Sequence, residues 1–123
     1  MTKTTGRVVV ALALLGAVAG AAVLVWGWFD RQAREEAARR GIANIQTAVQ
    51  AFKVSKGDYP PDLTTLARPL DDKPAALGPP DLSDPWGRPY VYEPENRNPA
   101  NGTPRIFSRG ADPDDPAGAI ANW

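Results

Sequence analysis

Apolar and polar positions divide the chain near residue 57. From Val8 to Phe29, VVVALALLGAVAGAAVLVWGWF, no residue is charged. At ~1.5 Å per residue this run is roughly 33 Å long, which matches a bilayer core of about 30 Å. Trp26, Trp28 and Phe29 stand at its end, where aromatic rings favour a membrane–water interface, and charge resumes at Asp30 and Arg31. The pattern predicts a transmembrane helix over 8–29 behind a short cytoplasmic tail, residues 1–7. A cleaved signal peptide is the competing reading. Lys3 and Arg7 supply a basic start and Ala17-Val18-Ala19 resembles a cleavage site, but the apolar run continues well past Ala19. Gly16 and Gly20 form a GxxxG, which lets helices approach closely in lipid or reflects only the small residues common in membrane helices.

The helical period continues beyond the run. Ile42, Ile45, Val49 and Phe52 recur at steps of three and four and make one apolar stripe. Lys53 and Lys56 suit the negative end of a helix dipole, and Gly57 is placed as its cap. An amphipathic stalk over 30–57 is therefore expected, continuous with the anchor in one helix of ~50 residues and roughly 75 Å. Something must cover its stripe.

The second half, a head over 58–123, holds all 13 prolines, and proline cannot continue a helix interior. Tyr59, Leu63, Leu66 and Leu70 are its first apolar anchors, with one short helix over Leu63–Ala67. Residues 71–84 are Pro-rich and acidic and read as a loop. RPYVYE (88–93) reads as a strand with Tyr90 and Tyr92 on one face, and RIFS (105–108) as a second. Between them Asn101-Gly102 is the strongest turn signal. Two or three such strands cannot stand alone, but packed on the helix stripe they share one core. The fold class expected is α+β: a long N-terminal helix, transmembrane then amphipathic, against a small antiparallel sheet with a C-terminal loop.

Composition narrows the function. Acidic and basic residues balance at 14 each, so no field attracts nucleic acid. Cysteine and histidine are absent, which removes disulfides, thiol nucleophiles, a lipid-modified cysteine, the common general base and most zinc sites. Glu93 and Glu95, or the Asp cluster near the C-terminus, are the only candidates for paired-carboxylate chemistry, and no cleft is indicated in so small a chain. No enzyme activity is expected. Asp112, Asp114 and Asp115 crowd three carboxylates into four residues. They repel one another unless water or a cation screens them, and hard oxygen ligands suit Ca2+.

Several strings carry a resemblance. Gly57-Asp58-Tyr59-Pro60 follows the amphipathic helix, then DPWGRPYVY (84–92), then FSRGADPDD (107–115) and a terminal Asn122-Trp123. In this order they resemble the major pseudopilin, the G subunit, of bacterial type II secretion systems, over about residues 38–123. The resemblance implies a pilin-like fold in which Asp-Pro-Trp-Gly opens the strand hairpin, with Trp86 filling the helix–sheet core. It implies a Ca2+ site in the C-terminal loop, carried by Asp112 and the Arg109 carbonyl with Asp115 or else Asp114. The loop is several residues shorter than in the family, which bears on the second carboxylate. It further implies a single-pass protein of the bacterial inner membrane with its head in the periplasm. Other pilin-like subunits and secretion platform proteins would be its partners, with homo-oligomers forming through the N-terminal helix.

The chain also departs from the family. Arg7 follows Gly6 where the prepilin cleavage motif has an aromatic residue, and the run 8–29 lacks the acidic residue of that motif. Cleavage after Gly6 is therefore not expected. Basic residues before the anchor (Lys3, Arg7) are fewer than those after it (Arg31, Arg34, Arg39, Arg40), which taken alone would place the head in the cytoplasm. The family role places it outside. A non-polymerising single-pass scaffold with a pilin-like head is the alternative function.

Overall fold

With no proline before Pro60, nothing interrupts the first helix: α1 spans Thr2–Lys56 in the computed structural model. The structure describes the backbone of residues 2–123 and the side chains of residues 20–123. Two units divide the chain, residues 1–33 and 34–123. Among the described residues no helix is long and apolar enough to cross a membrane. More than half of the run 8–29 lies outside the described side chains, as do Gly6, Gly16 and the Ala17–Ala19 string. In the described part of the first unit, Val23, Leu24, Trp26, Trp28 and Phe29 are all more than half exposed.

The second unit holds the head expected over 58–123 together with the part of α1 that it covers. Its helix ends as the cations and glycine at 53–57 predict: the Gly57 N–H donates to the Lys53 carbonyl at 2.7 Å with Gly57 at φ +87°. The stripe is buried at Ile42, Ile45 and Val49, joined by Ala38 and Ala48, while Phe52 is only partly covered. Over it pack Tyr59, Leu63, Leu66, Leu77, Tyr90 and Ile106, forming one core. A 3-10 turn at Thr64–Ala67 sits where a short helix was expected and buries Leu66.

Three strands make an antiparallel sheet in the order β1 (Val91–Arg97), β2 (Pro104–Ser108), β3 (Ile120–Ala121). Val91, Tyr92 and Glu93 pair with Phe107, Ile106 and Arg105, then the register slips so that Arg97 faces Pro104. Pro94, which has no N–H to give the ladder, lies in that slip. In β2, Pro104, Ile106 and Ser108 are buried while Arg105 and Phe107 are half-buried, an ordinary strand alternation.

Two expectations need correction. The first strand starts at Val91 rather than Arg88, because residues 84–90 are held by other partners: Asp84 N–H by the Arg88 carbonyl and Tyr90 N–H by the Leu82 carbonyl. Trp86 is half-buried and stands outside the core, whose aromatic from this segment is Tyr90, 7% exposed. Tyr90 packs so tightly on α1 that a Cβ on Gly41 would collide with its ring, which explains a glycine in the middle of a helix.

Candidate functional site

The backbone that opens the acidic loop and the side chains of Asp84 and Arg88, at the Asp-Pro-Trp-Gly turn, meet at one place on the head. The turn is built on Asp84. Its backbone carbonyl accepts from Gly87 N–H at 3.0 Å, and Gly87 takes the positive φ, +81°, that a side chain would resist. Its carboxylate Oδ1 accepts from the N–H groups of Trp86 (3.1 Å) and Arg88 (2.9 Å). This is the usual reach of an Asp onto its own downstream backbone, and Pro85 presets the turn.

The other oxygen looks inward. Ser108 Oγ, wholly buried at the end of β2, donates to Asp84 Oδ2 at 2.8 Å, and the same hydroxyl accepts from Gly110 N–H at 3.1 Å. A carboxylate that is only 5% exposed is thus satisfied by two backbone amides and a hydroxyl, as a buried charge requires. Arg88 completes the joint. Its Nη1 donates to the Gly110 carbonyl at 2.6 Å and its Nη2 to the Ala111 carbonyl at 3.3 Å. Gly110 has φ +79°, and a Cβ there would run into the Gly118 carbonyl, so the two ends of the loop touch at this residue.

The loop then returns to the sheet. Asp115 caps the 3-10 turn Pro116–Gly118 through Oδ1 and Ala117 N–H at 3.0 Å. Beyond β3, Asn122 acts as a side-chain peptide. Its Oδ1 accepts from Ile106 N–H (2.9 Å), and its Nδ2 donates to the Pro104 carbonyl (3.0 Å) and to Gln46 Oε1 on α1 (3.2 Å). One side chain therefore joins sheet, C-terminus and helix. Arg105 lies over the rings of both Phe107 and Trp123.

The residues expected to hold Ca2+ are not drawn together. Asp112, Asp114, Asp115 and Arg109 are all exposed. Asp112 Oδ1 accepts from Asp114 N–H at 3.0 Å, so one oxygen of Asp112 and one of Asp115 serve the local backbone. Arg109 and Asp115 share the lining of a shallow depression of about 350 Å3 with Arg105 and Glu93, while Asp112 and Asp114 stand outside it. Among the described residues no three acidic side chains are placed to hold a metal ion. The Gly110 and Ala111 carbonyls, which follow the expected Arg109 carbonyl, face the Arg88 guanidinium. This arrangement does not fit a preformed divalent-cation site. Asp84, Arg88 and Ser108 were not singled out as site residues by sequence reasoning. Their signal was membership of the DPWGRPYVY (84–92) and FSRGADPDD (107–115) strings, which does not show that the two meet.

Elsewhere the head is tied by Tyr92, whose hydroxyl donates to the Pro60 carbonyl at 2.8 Å. Burial pushes the Tyr92 phenol up to about 12. Lys53 and Arg97 lie over the Tyr59 ring at 4.5 and 4.4 Å. The turn after Leu70 is a two-residue hairpin with Asp71 and Asp72 at φ 50° and 64°, the form that needs positive φ at both positions. Lys56, at the end of α1, pairs with Asp71 and holds its carboxyl below the usual range.

No curated protein and no solved structure is matched by the chain. A family model is matched over residues 29–122, the C-terminal half of α1 with the whole sheet and its loops. On that match the chain belongs to the family of the type II secretion system (T2SS) protein G.

Proposed function

We propose that this chain is a membrane-anchored structural subunit of a type II secretion or related pilus-like apparatus, and that it supports protein export by assembly. Family membership, which makes it a structural, non-enzymatic secretion component working with other parts of that system, is the observation that carries the reading. The uncharged run 8–29 supports an anchor of single-pass type. So does the exposure of Val23, Leu24, Trp26, Trp28 and Phe29, since an apolar surface of this kind asks for lipid or a neighbouring helix. In this reading N-terminal helices pack side by side in the inner membrane. The heads stand on the periplasmic side, and an energised platform adds subunits.

Two differently tagged copies of the full chain, co-expressed in the host and cross-linked with formaldehyde, test this. Isolation of one tag from the membrane fraction should bring down the other tag together with further secretion-system proteins. A chain that returns from membranes with partners but never with a second copy would be a non-polymerising scaffold. A chain recovered alone and outside the membrane fraction would overturn the proposal.

A further inference from the structure

We propose that the guanidinium of Arg88 is the cation that closes the C-terminal loop on the Asp84 turn, and that it does so without a metal ion. Two consecutive carbonyls, Gly110 at 2.6 Å and Ala111 at 3.3 Å, converge on one planar group. A guanidinium offers several donors in a fixed fork and stays charged at every physiological pH. The same turn grips Gly110 a second time: its N–H reaches Ser108 Oγ, which in turn reaches Asp84 Oδ2. Asp84 Oδ1 also holds the Arg88 backbone N–H, so the carboxylate positions the residue whose side chain makes the closure. Gly110 is in contact range of the Gly118 carbonyl, so fixing Gly110 fixes both ends of the acidic segment. Between them Asp112 and Asp115 each turn one oxygen to the local backbone, and all three acidic side chains are exposed. They are left to solvent, where water screens their repulsion.

The consequence is a loop whose closure is indifferent to chelators. The full chain in detergent micelles, followed by hydrogen exchange with mass spectrometry, reads this directly. In the wild type, exchange over residues 110–119 should be the same in millimolar Ca2+ and in EDTA. Arg88→Met should raise exchange there by about tenfold or more, the scale of losing hydrogen bonds to a charged group, in both buffers. The β1–β2 amides should stay protected. Arg88→Lys, a point charge that cannot span two carbonyls, should fall between. Ca2+ that slows wild-type exchange at 110–119 several-fold overturns the proposal and makes the loop a metal site. Arg88→Met exchanging like wild type also overturns it. Should Arg88→Met expose β1 and β2 as well, Arg88→Lys decides: a folded sheet with a faster loop supports the clamp, and a loop as protected as wild type refutes the two-carbonyl geometry.

Discussion

Asp84 is a costly side chain to remove from the head. Its carboxylate receives Trp86 N–H, Arg88 N–H and Ser108 Oγ within 3.1 Å while only 5% exposed. A hydrogen bond to a charged group contributes about 1.5–3 kcal/mol, and a buried donor left unpaired costs about 1–3 kcal/mol. Trp86 and Arg88 are half-buried, so the loss of their two bonds is counted at the low end of that range. Ser108 is sealed, so water cannot replace the partner of its hydroxyl proton. Asp84→Ala should therefore destabilise the head by roughly 3–5 kcal/mol, a large part of the ~5–15 kcal/mol available to a small domain. Asp84→Asn, which keeps one acceptor oxygen for the two amides, should cost about 1–2 kcal/mol. Urea denaturation of the full chain in detergent, followed by tryptophan fluorescence, gives the midpoints. Ser108→Ala and the double variant complete a cycle whose coupling should be about 1 kcal/mol or more. An Asp84→Ala variant within about 1 kcal/mol of wild type, or strict additivity with Ser108→Ala, would refute the buried relay.

Three further outcomes follow from the same geometry. Tyr90→Ala should cost about 3–5 kcal/mol and Trp86→Ala clearly less, because Tyr90 is in the core and Trp86 is half-buried outside it; the reverse order in thermal melts would restore Trp86 to the core. Asn122→Ala should cost about 2–3 kcal/mol, since it orphans the N–H of fully buried Ile106 and unties Gln46; a melting temperature within error of wild type would show that water replaces it. Tyr92 has a folded pKa of about 12 against an ordinary value of 10.0. The folded state therefore holds the proton more tightly, and the contribution is full below pH 10.0 and lost as pH rises toward about 12. Tyr90, also raised by burial and secondarily by Asp84, adds to the same loss, so Tyr92→Phe should reduce but not abolish the alkaline fall in melting temperature.

The helix and its stripe were legible because burial at Ile42, Ile45 and Val49 repeats with the helical period, and because Gly57 carries a conformation only glycine adopts cheaply. Ala38 and Ala48 were not foreseen, since alanine is at home on either side of a helix. The strands were foreseen from Tyr92 and Ile106, but the start of β1 was not, because whether Arg88–Tyr90 join a ladder or a turn is settled by Leu82 and Asp84 and not by propensity. β3 is two residues long and leaves no periodic signal. The loop joint was the least visible part. Arg88 meets Gly110 across 22 positions and Asp84 meets Ser108 across 24, and no local pattern records such pairings. The three aspartates drew the eye because charge clustering is visible in sequence, whereas a single arginine in a turn is not.

An assembling subunit of an export apparatus, the role proposed for this chain, is one whose loss stops release of the exported proteins. The most direct measurement is the exported protein of the host bacterium after deletion of the gene, with the wild-type chain and the Asp84→Ala chain each returned to it. Deletion should leave secreted proteins stranded in the periplasm, and the wild-type chain should restore their release. The Asp84→Ala chain, its head destabilised, should restore it poorly. Undiminished release after deletion, in a strain with no second gene of this family, would rule out the proposed role in export.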